Sequence, residues 1–408
     1  MRSAEKPLTM YIIDNACYGK EGLSGGDRIF IELARRWAQT GIRIHIIASL
    51  DGYNICQREN LRHDNITYTV WWKQGVPNAL LVPFSYVART FTGVFKAWRM
   101  KSPEGENAII YSASDFWPDS IPALVMKLRN RRAKWVAGFY MFTPPPWQKN
   151  SMFRNRYMWR GLLSYIGQIP VYRLIRRYAD MVFVTSEPDV ARFAGDRLGC
   201  GNVVVIRGGV DTQLPLQVPE PKEKTYDAVF IGRFHPQKGV LELVDIWKLV
   251  CGQKKSARLA MIGLGPLERQ LQEKIAAGRL QDNISIMGYQ DGIPKIKTFK
   301  ASRMVLHPAV YDSGGMAACE AMSCGLPGIS FDLEALKTYY PKGMIKTTPG
   351  DLAGFAANII RLLNDKDLYD RTRREALDWA QEWDWEQRAR DILVSLTGAR
   401  QPEGKGAA

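Results

Sequence analysis

The residues richest in possible chemistry lie between His307 and Asp332, in HPAVYDSGGMAACEAMSCGLPGISFD. A short apolar run, Met304–Leu306, precedes them, and a turn carries Gly314 and Gly315. The pattern predicts a helix starting at those glycines, and unpaired N–H groups at such a start can bind an anion. Asp312 stands in the turn, and Glu320 follows eight residues later, inside the helix. Two carboxylates so placed could bracket a sugar nucleotide by accepting hydrogen bonds from its hydroxyls. The same spacing also suits an ordinary helix cap by Asp312 or Ser313 with Glu320 on the surface.

A second cluster, GRFHPQKG at Gly232–Gly239, follows an apolar run and carries Arg233 and Lys238 in one short loop. Two cations beside a helix start suit a diphosphate, although basic loop residues are often only solvated. The third cluster, GLGPLE at Gly263–Glu268, repeats the placement of glycines after a strand. Cys319 and Cys324 do not form a metal motif, since no second ligand pair lies near them and the chain has four His. Asp365-Lys366-Asp367 is the one D-x-D and falls in a polar helical segment.

These clusters need elements to hold them. Short β-branched or apolar runs recur at Thr9–Asn15, Arg43–Ser49, Asn107–Ser112, Trp135–Phe139, Met181–Thr185 and Val203–Ile206. They recur again at Asp227–Gly232, Ala257–Gly263, Ile284–Gly288, Met304–Leu306 and Gly328–Phe331. Helical spacing lies between them, as in Gly25–Thr40, Leu241–Val250 and Leu267–Ala277. Alternation of this kind predicts parallel sheets covered on both faces, here two doubly wound halves. Residues 1–213 form the first domain in this reading, 214–225 a proline-rich linker, and 226–377 the second domain. Helices over about 378–397 are expected to pack back onto the first domain, and 398–408 to be a disordered tail. Two such halves place a ligand cleft between the C-terminal edges of their sheets.

The 408 residues fit two domains, with 46% hydrophobic and 24% charged residues, as in a soluble globular protein. No uninterrupted apolar run is long enough for a transmembrane helix, and the N-terminal run is too short for a secretory signal. Six scattered cysteines, at 17, 56, 200, 251, 319 and 324, suit a reducing cytosol. The net charge is +15, and residues 1–200 hold 28 basic against 16 acidic groups. A basic field on one half draws anionic partners such as a membrane face or phosphorylated substrates. Nothing in the chain matches a nucleic-acid-binding motif, so nucleic acid is not expected as a partner.

Taken in order, the three clusters resemble the retaining GT-B glycosyltransferases of family 4. The resemblance is carried by Gly232-Arg233…Lys238-Gly239, Gly263-Leu264-Gly265-Pro266-Leu267, Gly288-Tyr289, and the stretch from Pro308 to Pro327. Arg207-Gly208-Gly209-Val210-Asp211 is similar to the motif that ends the family's first domain, and Ser24-Gly25-Gly26 to its N-terminal glycine loop. The chain departs from the family in three places. Asp312 replaces the first Glu of the paired acids, Ser112-Ala113-Ser114-Asp115 lacks the His often found there, and Leu333-Glu334-Ala335 replaces a pair of glycines.

The resemblance implies a GT-B fold and a nucleotide-diphosphate sugar as donor substrate, with no cofactor and no metal. Arg233 and Lys238 would bind the donor diphosphate, helped by amides near Gly314, Gly315 and Met316 and by Gly25 and Gly26. Gly263, Gly265 and Tyr289 would line the nucleotide. Glu320 would hold the ribose, Asp312 the transferred sugar, and Ser114 or Asp115 a sugar or acceptor. The catalytic set would be Asp312, Glu320, Arg233 and Lys238, acting by charge stabilisation of the leaving phosphate.

On the acceptor side, Lys149–Tyr178 carries seven basic residues and no acid, interleaved with aromatic and aliphatic side chains. Lys149, Arg154, Arg156, Trp159, Arg160, Arg173, Arg176 and Arg177 would dock on an anionic membrane, and Pro170 would divide the segment into two helices. The same segment could instead be a domain face. Phe84–Met100 is a second basic and aromatic stretch. The expectation is a glycosyltransferase acting on a lipid-linked or cell-surface glycan, cytoplasmic and peripheral on the inner membrane face. A soluble transferase with a small acceptor, or a nucleotide-sugar-binding protein or epimerase of the same fold, remains open.

Overall fold

The computed structural model describes residues 8–17, 23–74, 82–101, 108–148, 151, 153, 158–193 and 202–398. Two compact units divide the chain. The first runs to Thr143, continues over Leu162–Gly208 and takes in the chain from Trp385; the second holds Pro144–Gly161 and Gly209–Asp384.

The first unit contains β1 (Thr9–Asp14), α1 (Gly25–Gln39), β2 (Arg43–Ser49), α2 (Leu50–Arg58), β3 (Ile66–Trp72), α3 (Val82–Arg99) and β4 (Ala108–Ser112). It continues with α4 (Trp117–Arg129), β5 (Lys134–Gly138), α5 (Met158–Tyr178, of which the first turn, to Gly161, falls in the second unit), β6 (Met181–Val184), α6 (Glu187–Phe193) and β7 (Val203–Val205). Its seven strands lie in the order β3-β2-β1-β4-β5-β6-β7. Every pairing is parallel. Strands such as β4, buried along their whole length, must be apolar on both faces, and their β-branched runs reflect this.

The second unit contains β8 (Ala228–Ile231), α7 (Val240–Gln253), β9 (Leu259–Ile262), α8 (Glu268–Ala277), β10 (Ile284–Gly288), α9 (Gly292–Lys300) and β11 (Val305–His307). Then come α10 (Met316–Met322), β12 (Gly328–Phe331), α11 (Glu334–Tyr339), β13 (Met344–Thr347), α12 (Leu352–Asn364) and α13 (Lys366–Gln381). The strand order is β10-β9-β8-β11-β12-β13. All its pairings are parallel, and the order in which successive strands are added reverses between β8 and β11, as in the other sheet between β1 and β4. In open α/β sheets ligands bind at such switch points, beyond the C-terminal strand ends.

The final helix, α14 (Trp385–Thr397), belongs to the first unit. The Trp37 indole donates to the Ala389 carbonyl at 2.8 Å, Arg36 pairs with Glu386 at 2.9 Å, and Lys134 donates to the Leu396 carbonyl at 3.0 Å. The chain leaves the second unit at Asp384/Trp385 rather than at 377, because α13 runs unbroken to Gln381 with Trp379 and Trp383 buried in that unit's core. The stretch read as a linker also belongs to the second unit. Leu214–Gln217 is a 3-10 turn, and Lys300 holds the segment by donating to the Val218 carbonyl at 2.6 Å and pairing with Glu220 at 3.2 Å.

Pro170 does not divide the basic segment, since α5 is one helix from Met158 to Tyr178. Proline removes one backbone donor from a helix. Here the acceptor that loses its donor is the Ile166 carbonyl; at the neighbouring Gly167 carbonyl the Trp117 indole donates at 2.8 Å, which ties α5 to the start of α4. No helix among the described residues is long and apolar enough to cross a membrane.

Candidate functional site

At the β8–β11 switch point the loops are joined by main-chain hydrogen bonds. Phe234 N–H donates to Leu264 O at 2.8 Å, Leu267 N–H to Phe234 O at 3.1 Å, and Val310 N–H to Gln237 O at 2.9 Å. The loop after β8 is thus fixed to the loop after β9 on one side and to the loop after β11 on the other. Close approach requires glycine here. A Cβ on Gly265 would meet the Phe234 main chain at 2.5 Å. Gly239, at φ +65°, lies so near the Pro308 carbonyl that no side chain fits.

These joined loops bring Lys238 and Asp312 together, Nζ to Oδ2, at 2.5 Å. His307 Nε2 lies 3.1 Å from the same oxygen, and Oδ1 accepts from Ser313 N–H at 3.0 Å. Burial alone would raise the Asp312 pKa; Lys238 beside it and the His307 contact bring it down to about 2. Burial lowers the His307 pKa below the ordinary histidine value. His235 is lowered to about 4, by burial first and then by Arg233 and Lys238. At neutral pH the loop after β8 therefore carries two cations and the neutral His235 imidazole, and Lys238 is held by the buried Asp312 carboxylate. A phosphate entering here would compete with Asp312 for Lys238.

Glu320 lies on α10, whose start is set by aromatic side chains. The Tyr340 hydroxyl accepts from Cys319 N–H at 2.9 Å and donates to Gly315 O, and its ring stacks on Trp383. Glu320 pairs with Lys295 at 3.1 Å, and Lys295 also pairs with Asp291 at 2.6 Å. Lys295 is buried on α9. The sequence reading missed both Lys295 and His307. The i,i+4 spacing of Asp291 and Lys295 was a usable signal for the first; nothing local marks the second. Tyr289 is exposed just beyond β10, on the same sheet edge as Gly263 and Gly265, and Arg233 is exposed on its loop. Asp365 N-caps α13 by accepting from Leu368 N–H at 2.9 Å, so that D-x-D has a structural role.

In the first unit, Gly25 and Gly26 open α1 behind Ser24. Ser24 and Asp27 cap each other's main chain at 3.1 Å, and Tyr140 packs against Gly26. Ser114 donates to Asp119 at 2.5 Å, and Gln168 donates to Asp115 at 2.7 Å. Asp119 also accepts from the main-chain N–H groups of Asn15, at 2.6 Å, and Ala16, at 2.8 Å. Burial pushes Asp115 up to about 6 and Asp119 up to about 7. Asp14 is raised in the same direction, by burial and by Asp27 and Asp119. Among the described residues, Asp14, Cys17 and Asp27 alone form a group with metal-ligand spacing.

The Asp119 shift predicts a pH dependence. Its folded value is raised above the unfolded one, so the native state retains an extra proton between about pH 4 and 7. Its contribution to stability is therefore lost as pH rises through that window. Asp119→Asn keeps acceptors for the two main-chain donors and removes the titration. Its melting temperature should fall less than the wild type's between the ends of that window. Identical pH profiles would contradict the assignment.

Of the residues assigned to a membrane, Lys149, Arg154 and Arg156 lie outside the described residues. Trp159, Arg160, Arg173 and Arg177 are exposed along α5, while Arg176 is half-buried, its guanidinium 5.3 Å from the Tyr172 ring.

Solved structures share this architecture, and the fold is GT-B. Anabaena HepE, solved in complex with UDP and glucose, superposes with a TM-score of 0.70, covering 96% of this chain and all of its own at 17% identity. Residues 215–379 match the family described as glycosyl transferases group 1. That stretch contains Arg233, Lys238, Lys295, His307, Asp312 and Glu320. An uncharacterized glycosyltransferase of Methanocaldococcus jannaschii is 28% identical over 62% of each chain. O-antigen chain mannosyltransferase B of Escherichia coli is 22% identical over 64% of this chain and 69% of its own. The chain thus spans only about half to two thirds of the length of the first curated relatives it matches.

Proposed function

We propose that the chain is a retaining, metal-independent glycosyltransferase that moves a sugar from a nucleotide-diphosphate sugar to a lipid-linked or cell-surface glycan at the cytoplasmic membrane face. The observation that carries this reading is the Lys238–Asp312–His307 cluster at the β8–β11 switch point, with Glu320 on the following helix. The group 1 family match over the same residues supports it, as do relatives named for glycosyl and mannosyl transfer and a fold neighbour that binds UDP and glucose.

In this reading Lys238 turns from Asp312 to the donor diphosphate and, with Arg233, meets the negative charge that develops on the departing nucleotide. Fixed charges of this kind need no reorganisation as the bond breaks. Asp312, released from Lys238 and still held by His307, accepts hydrogen bonds from the transferred sugar. Glu320, oriented by Lys295, accepts from the ribose hydroxyls. The cations supply the leaving-group role that a divalent metal would otherwise fill.

A thermal-shift screen of UDP-, GDP- and ADP-sugars tests this reading. One nucleotide series should raise the melting temperature, and EDTA should leave both that shift and donor turnover intact. Absence of any nucleotide shift would overturn the donor assignment. Loss of turnover on chelation, restored by Mn²⁺ or Mg²⁺, would overturn the metal-independent mechanism.

A further inference from the structure

Helix α3 turns its largest apolar side chains outward. Phe84, Val87, Phe91, Phe95 and Trp98 are 75%, 47%, 71%, 54% and 66% exposed. Their spacing of three, four, four and three residues places them on one helical face. The face that packs on the unit is small and polar, with Ser85, Arg89, Thr90, Gly93 and Ala97 buried. Gly93 is packed against Pro122 of α4, and the buried Arg89 donates to Cys17 O at 2.6 Å and pairs with Asp51 at 3.0 Å. The fold thus takes its buried contacts from the Ser85–Arg89–Thr90–Gly93–Ala97 face, and the apolar stripe stays largely open to solvent. An exposed apolar face of this kind marks an interaction site.

The charge around the stripe selects its partner. From Asn65 to Pro103 the chain has no acid and, besides the buried Arg89 that pairs with Asp51, four basic residues, Lys73, Lys96, Arg99 and Lys101. Guanidinium groups lie directly at the stripe, Arg99 at 4.2 Å from the Phe95 ring and Arg129 at 5.8 Å from the Trp98 ring. A second copy docking through this face would bring cation against cation. A bilayer with anionic headgroups offers acyl chains to the stripe and phosphates to its basic edge.

We propose that α3 lies in the headgroup–acyl boundary of an anionic membrane, with Phe84, Val87, Phe91, Phe95 and Trp98 inserted and Arg99 and Arg129 at phosphate level. This rests on the transferase reading only for what the membrane supplies, namely the lipid-linked acceptor; the docking itself is measured without turnover.

The test is co-sedimentation of the full chain with phosphatidylcholine vesicles, with and without phosphatidylglycerol. Wild type should bind the anionic vesicles and weaken at high salt. The triple variant Phe84→Ser, Phe91→Ser, Phe95→Ser should lose about tenfold or more of that binding, since several buried apolar groups are removed. It should keep the wild-type nucleotide thermal shift and its turnover of a detergent-dispersed acceptor. Equal binding of the triple variant and wild type, or binding that ignores phosphatidylglycerol, overturns the proposal. So does binding lost only in Arg160→Glu/Arg173→Glu, which would assign docking to α5. A wild-type dimer in sedimentation velocity that the triple variant abolishes would assign the face to a second copy. Failure of turnover with vesicle binding intact would count against the transferase reading alone.

Discussion

Lys238→Ala should lower kcat/KM by about 10- to 150-fold, because a charge-assisted hydrogen bond to phosphate contributes roughly 1.5–3 kcal/mol. The variant should also lose stability. Asp312 is 7% exposed and takes its main charge partner from Lys238. Removing one member of a buried pair costs about 3–5 kcal/mol, and the remaining His307 contact, at 3.1 Å, places the loss toward the lower end. The double variant Lys238→Ala/Asp312→Asn separates the two effects. It should recover much of the melting temperature and none of the turnover. A single variant with wild-type melting temperature and turnover would remove Lys238 from the site.

Lys295→Met should weaken donor binding more than it slows the bound complex. Lys295 is the buried cation between Asp291 and Glu320, and its loss removes the ion pair that orients Glu320. The expected result is a KM for donor raised about tenfold or more, corresponding to roughly 1.4 kcal/mol of lost orientation, with kcat changed far less. Lys295→Arg, which keeps the charge, should recover part of the affinity. A fall in kcat with unchanged KM would place Glu320 on the reacting sugar instead of the ribose.

The sequence showed most of the strands, because strands buried on both faces must be continuous β-branched or apolar runs. It did not show the edge strands β3 and β13. Their residues, ITYTVWW and MIKT, are partly exposed and include polar side chains, so no apolar run marks them. The glycine loops were legible because close main-chain approach admits no other residue at Gly239 or Gly265. Lys238 and Asp312 were legible only as two separate candidate residues, not as a pair. Its members are 74 residues apart, and only the β8–β11 adjacency brings them together. His307 and Lys295 depend on the same tertiary placement. Phe84–Met100 read as basic and aromatic, but helical periodicity is the same whether the apolar stripe faces the core or the solvent. Only the packing of Gly93 and the burial of Arg89 show that it faces out.

The central claim is that the loops after β8 and β11 hold a nucleotide's diphosphate through Lys238. Isothermal titration of the full chain tests it most directly, comparing the nucleoside diphosphate selected by the thermal-shift screen with its parent nucleoside. In the wild type the diphosphate should bind at least about tenfold more tightly, as expected for a single charge-assisted phosphate contact, and in Lys238→Ala most of that advantage should disappear while nucleoside affinity stays the same. An equal diphosphate advantage in both proteins would contradict the account.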